Sequence, residues 1–115
     1  MKHFILVLFV IGLVVSQFAC STDPENPPRF RIRNDRSTKA NVQIQTSGGN
    51  TININDVQPG QTTSYQGAAA GQIEATASIQ GESVSPMAVF NAQTNGSYTV
   101  VIASTTPPTL NVISP

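Results

Sequence analysis

From Gln72 to Ile79 the chain alternates without a break, with Ile73, Ala75, Ala77 and Ile79 at one set of positions and Gln72, Glu74, Thr76 and Ser78 at the other. A period of two belongs to an extended strand, whose successive side chains leave on opposite faces, so this segment reads as a strand with one face on a core and one in water. A helix would scatter the same apolar residues around its axis. The pattern recurs elsewhere: Phe30 and Ile32 alternate with Arg29, Arg31 and Arg33; Ala40, Val42 and Ile44 with Asn41, Gln43 and Gln45; Ile52 and Ile54 with Asn53 and Asn55.

Turn chemistry separates these runs. Ser47-Gly48-Gly49-Asn50 and Gln80-Gly81 carry glycines that accept the positive φ of tight reversals, and Val57-Gln58-Pro59-Gly60 puts proline and glycine where a type II turn favours them. Further strands are expected through Thr63 and Tyr65 and over residues 84–90, where Pro86 marks an edge or a bulge. Residues 98–103 are apolar on both faces and therefore read as a central strand; Leu110 and Val112 close the sheet. Residues 67–71 read as a flexible corner and Asn95-Gly96 as a hairpin reversal. About eight short strands, with no helical period among them, predict an all-β fold: a single small β-sandwich of mostly antiparallel strands, or a small barrel.

The first residues are of another kind. Behind Met1-Lys2-His3 comes the apolar run FILVLFVIGLVV, then Ser16-Gln17-Phe18-Ala19 and the single cysteine of the chain, Cys20. One basic residue, an apolar stretch and then small or neutral residues is the layout of a secretory leader. The run is short for a membrane span, which takes roughly 20 apolar residues. An exported chain with one thiol has no internal disulfide partner, so the cysteine needs another explanation. The segment Val15-Ser16-Gln17-Phe18-Ala19-Cys20 resembles the lipobox of bacterial lipoproteins, in which a small residue precedes a cysteine that is acylated and becomes the new N-terminus. Ala19 and Cys20 carry the resemblance; Gln17 and Phe18 depart from it. It implies a signal peptide over 1–19, lipidation at Cys20, and residence in the bacterial cell envelope facing the periplasm or the cell surface. Two or three acyl chains, at about 0.8 kcal/mol per buried methylene, would anchor such a chain firmly. Ordinary cleavage with a free thiol, or an uncleaved anchor, are the other readings. Residues 20–28, with the polar and proline-rich stretch STDPENPP, then form a tether, and residues 29–115 the sandwich domain.

Charge narrows the functions open to the domain. Beyond residue 19 the basic residues are Arg29, Arg31, Arg33, Arg36 and Lys39, set against Asp23, Glu25, Asp35, Asp56, Glu74 and Glu82, a formal −1. No general positive field selects nucleic acid. His3 leaves with the leader and Cys20 is committed to lipid, so a zinc site or a Ser/His or Cys/His nucleophile pair cannot be assembled. No catalysis and no cofactor are expected.

All five basic residues fall between 29 and 39. Alternation stands Arg29, Arg31 and Arg33 on one face about 7 Å apart, with Arg36 and Lys39 in the following turn. Two readings stand: an anion-binding set for headgroup phosphates or an acidic polysaccharide, or solvated charges guarding a first, edge-lying strand. Tyr65 and Tyr98 read as core aromatics with hydroxyls at the rim, Tyr98 in a tyrosine-corner position. Glu74 and Glu82, the best carboxylate pair, are expected roughly opposite each other across the turn at 80–81 and solvated. Asn53, Asn55 and Asp56 hold one carboxylate, few for calcium.

Asn55-Asp56-Val57-Gln58-Pro59-Gly60, Thr62-Thr63-Ser64-Tyr65, Ala70-Gly71 and Asn95-Gly96-Ser97-Tyr98-Thr99-Val100-Val101 together resemble the bacterial domain of unknown function numbered 4397, over most of residues 31–113. The resemblance implies an extracytoplasmic β-sandwich. Ala40-Asn41-Val42-Gln43-Ile44 and Ser47-Gly48-Gly49 stand where that family carries acidic residues, so no ligand role of those acids carries over. The expectation is a membrane-anchored extracytoplasmic lipoprotein acting as a non-catalytic binding or structural surface module. Its partners would be the membrane, through the anchor, and an anionic glycan, a lipid headgroup or another envelope protein. An assembly or adhesion subunit working by β-strand augmentation, or a secreted sandwich without lipid, are the alternatives.

Overall fold

The alternating segments become eight strands in the computed structural model, which describes residues 26–114. The leader, Cys20 and the tether as far as residue 25 lie outside the described residues. The strands are β1 (Arg29–Asn34), β2 (Ala40–Thr46), β3 (Thr51–Val57), β4 (Gln66–Gly67), β5 (Gly71–Ile79), β6 (Met87–Ala92), β7 (Ser97–Ile102) and β8 (Leu110–Ile113). They form two four-stranded sheets in the orders β4-β1-β7-β8 and β3-β2-β5-β6. The fold is the expected small all-β sandwich, and among the described residues there is no helix.

Each sheet turns its apolar side chains inward. Phe30, Ile32, Val100 and Ile102 come from the first sheet and Val42, Ile44, Ile73, Ala75 and Ala77 from the second, all at most 1% exposed. Full burial of a side chain such as Ile32 contributes about 1.5–3 kcal/mol. The central position expected of residues 98–103 holds for β7, which lies between β1 and β8.

Three turns take the predicted form. Gly49, Gly60 and Gly81 all have positive φ, and Gln61 N–H closes the Pro59-Gly60 turn onto Gln58 O at 3.0 Å.

Several expectations are corrected. The first strand is not an edge: β1 runs parallel to β7 on one side, while its other side pairs with β4 and with residues 61–63. Asn34 N–H donates to Gln61 O, and Thr63 N–H to Ile32 O, so β1 is flanked along its length. Thr63 and Tyr65 therefore do not lie in a strand of their own; the regular pairing is confined to Gln66–Gly67. Strand β6 begins at Met87, not at 84, with Pro86 buried just before it and its carbonyl accepting Ala77 N–H. Pro86 still falls beside an edge strand, as its missing N–H requires. Asn95-Gly96 is not a hairpin between paired strands, since it carries the chain from β6 in one sheet to β7 in the other. The flexible corner starts later than Gly67, and Ala68 in it is buried with its N–H donated to Pro28 O.

The domain also starts earlier than expected. Pro28 is fully buried, and Asn26 exchanges hydrogen bonds with Asn95 through its N–H and its carbonyl. Residues 26–28 are therefore docked on the sandwich rather than part of a free tether.

Candidate anion-binding face

The parallel register of β1 and β7 sets Arg29 beside Ser97, Arg31 beside Thr99 and Arg33 beside Val101, all on the outer face of the first sheet. Register turns into hydrogen bonds. Arg29 Nε donates to Ser97 Oγ at 2.8 Å, and Arg31 Nε to Thr99 Oγ1 at 3.0 Å. Tyr65, brought over by the segment that flanks β1, meets both guanidinium groups: its ring centroid is 4.3 Å from Arg29 Cζ and 4.7 Å from Arg31 Cζ. A cation over a ring face is held by the ring quadrupole, at about 0.5–1 kcal/mol for an exposed contact. One aromatic ring thus steadies two neighbouring arginines.

The remaining basic residues are used differently. Arg33 forms a two-pronged pair with Asp35, Nε to Oδ1 at 3.0 Å and an end nitrogen to Oδ2 at 3.1 Å. Both are exposed, so the pair contributes about 0–1 kcal/mol. Arg36, expected to join the anion-binding set, turns away from it and donates one nitrogen to the carbonyls of Ala103 at 2.8 Å and Thr105 at 2.9 Å, with its other end nitrogen 3.7 Å from Glu82. It is a clamp on the loop after β7. Lys39 likewise departs from the expected set and faces Asp56, 3.7 Å away. Of the five, the structure brings Arg29, Arg31 and Arg33 together and leaves Arg36 and Lys39 elsewhere.

Each of these three other cations has a carboxylate within 4 Å. Among the described residues Arg29 and Arg31 have none, and their end nitrogens find no acceptor. Beside Arg29 lies a concavity of about 330 Å³ lined by Asn26, Pro27, Arg29, Asn95, Gly96 and Ser97.

The other candidates do not converge. Glu74 lies within β5, paired with Val89 and Gln45, whereas Glu82 follows the turn at the far end of that strand and meets Arg36. The expected juxtaposition across the turn is therefore absent: five residues of strand at about 3.3 Å each separate Glu74 from Ile79 alone. Asp56 has a φ of 58° beside the irregularity where β2 and β3 lose register between Ala40 and Val42, and its N–H is taken by Asn41 Oδ1 at 2.8 Å. It serves a β-bulge. Tyr98 does form the expected corner, its hydroxyl accepting Gln93 N–H at 2.8 Å and its ring lying 5.1 Å from that of Phe90.

Sequence reasoning expected Tyr65 in the core, whereas it lies half-buried against Arg29 and Arg31, and it missed Ser97 and Thr99 as members of the arginine cluster. Ser97 and Thr99 stand at alternate positions ahead of an apolar strand, but nothing local says which strand they will border. Cys20 lies outside the described residues. No protein-family model matches the chain, and no curated protein is found to be similar to it.

Proposed function

We propose that the protein is a lipid-anchored extracytoplasmic lipoprotein of the bacterial envelope, held by Cys20, whose sandwich is a non-catalytic binding module working through the outer face of β1 and β7. The leader and the lone cysteine that ends it support the anchor. The observation that carries the binding role is the pairing of Arg29 and Arg31 on Tyr65 with no carboxylate at hand among the described residues. Side chains needed only for solubility gain nothing from being oriented, whereas immobilised guanidinium groups with free edges lower the ordering cost of meeting an anion. The turn and core motifs that resemble the 4397 domain support an extracytoplasmic sandwich of that kind.

The anchor is tested by expressing the chain and its Cys20→Ser variant in a bacterial host and following both into the membrane fraction. Mass spectrometry of the parent protein should find an acylated N-terminus at Cys20, and the variant should lose membrane retention. Retention of the variant, or a parent protein with an unmodified thiol, would point to the uncleaved or the secreted form instead.

A second reading rests on a different feature. Strand β6 is the outer strand of its sheet and exposes Met87 at 58% and Val89 at 51%, an edge to which another chain's strand can add. An assembly subunit would use that edge and leave the arginine face idle.

A further inference from the structure

We infer that Arg29 and Arg31 form a single two-pronged site for a phosphate monoester, and that the esters it meets are terminal, singly esterified headgroup phosphates of the membrane to which the tether holds it. The inference rests on the anchored-module reading and names the ligand class of that same face. A guanidinium offers donors along its planar edges, and in both arginines the Nε–H is already given to a hydroxyl of β7. The end nitrogens remain. They are two forks on adjacent same-face positions of one strand, about 7 Å apart. A carboxylate, like the phosphodiester of most lipids, has one pair of free oxygens and fills one fork; a phosphate monoester has three, so it presents a second oxygen–oxygen edge and serves two. Their mutual repulsion within a Debye length of ~8 Å favours an anion between or beside them. Among the described residues the chain supplies none, although it supplies one to each of Arg33, Arg36 and Lys39.

The ester substituent has somewhere to go. The concavity at Arg29 is edged by Asn95 and Ser97, polar groups suited to the oxygenated carbon skeleton that bears the phosphate. Its position bears on the source of the ester. Asn26, on its rim, is six residues from Cys20, and six extended residues reach about 20 Å. An acylated Cys20 therefore keeps this end of the sandwich within reach of the headgroups.

The test uses the full chain, ¹⁵N-labelled, in uncharged detergent micelles, reading the Nε–H resonances of the arginines. Titration with glycerol 3-phosphate, and doping of the micelles with phosphatidic acid, should move the Arg29 and Arg31 signals and leave that of Arg36 in place. Acetate at equal ionic strength should be at least tenfold weaker. Arg29→Gln and Arg31→Gln should each weaken the phosphate response tenfold or more, and Lys39→Gln should leave it unchanged. A response to glycerol 3-phosphate with none to phosphatidic acid upholds the site and overturns the membrane as its source. Equal response to acetate, or no response to either phosphate, overturns the inference. Because these signals are read without acylation, a failed anchor shows in the Cys20→Ser comparison while the arginine response stands or falls by itself.

Discussion

Asn34 Nδ2 donates to the carbonyl oxygen of Val57 at 3.0 Å, joining the last residue of β1 in one sheet to the last residue of β3 in the other. The same nitrogen donates to Thr38 O at 2.9 Å, and Asn34 Oδ1 accepts Arg36 N–H at 3.0 Å. The side chain is fully buried. Asn34→Leu keeps the volume roughly and strips three backbone groups of their partner, each unsatisfied buried group costing about 1–3 kcal/mol. A loss of about 3 kcal/mol or more is expected, read as a lower urea midpoint with unchanged slope. A midpoint within error of the parent would mean that the two sheets do not depend on this clasp.

Gly96 is fixed by a close approach. A Cβ there would stand 2.7 Å from the Tyr98 hydroxyl and 2.8 Å from Gln93 O, and the tyrosine is itself tied to Gln93 N–H. Gly96→Ala must push apart the corner that carries the chain between sheets, at about 1–3 kcal/mol. Tyr98→Phe removes only the hydrogen-bond acceptor and should cost about 0.5–1.5 kcal/mol. Thermal melts of the two variants would check the order; a Gly96→Ala protein as stable as Tyr98→Phe would show that the corner yields freely.

The strands were legible because burial on one face imposes a period of two, and that period survives in Ile73, Ala75, Ala77 and Ile79 whatever the strand's neighbours. Neighbourhood was not legible. Arg29 and Ser97 are 68 residues apart in the chain, and a parallel pairing between them leaves no turn signature to read. The same gap hid the true setting of β1: its alternation looks the same at an edge or flanked by residues 61–63, which hydrogen-bond to it without regular strand structure. Arg36 was misplaced for a related reason. Its carbonyl partners Ala103 and Thr105 arrive through the fold, and no local pattern marks an arginine that will be turned inward onto a loop.

Tyr65 should be coupled to its cations by a measurable amount. With Arg29 Cζ 4.3 Å from the ring centroid and the contact exposed, a double-mutant cycle of Tyr65→Ala and Arg29→Gln should give about 0.5–1 kcal/mol. Tyr65→Phe keeps the ring face and should retain most of that coupling. Zero coupling in the cycle would reduce the stacking to a chance approach, and the preorganisation of the arginine pair would have to rest on Ser97 and Thr99 alone.

The last expectation concerns the outer strands, which differ in how they are protected. Strand β4 has two residues and β8 four, too short to offer much of a ladder, and β3 has Asp56 and the register break near its end. Strand β6, MAVFNA, has six residues with no charge and no proline, and it exposes Met87 and Val89. Proteins commonly blunt such an edge with an outward lysine. Val89→Lys should therefore suppress concentration-dependent self-association seen by light scattering, while shifting stability by no more than about 0.5 kcal/mol, as surface changes away from packed contacts do. If the parent chain self-associates and the lysine variant does so equally, pairing through β6 is excluded and the assembly reading loses the edge it depends on. If the variant stays dispersed while its arginine face behaves as in the parent, the two surfaces act independently.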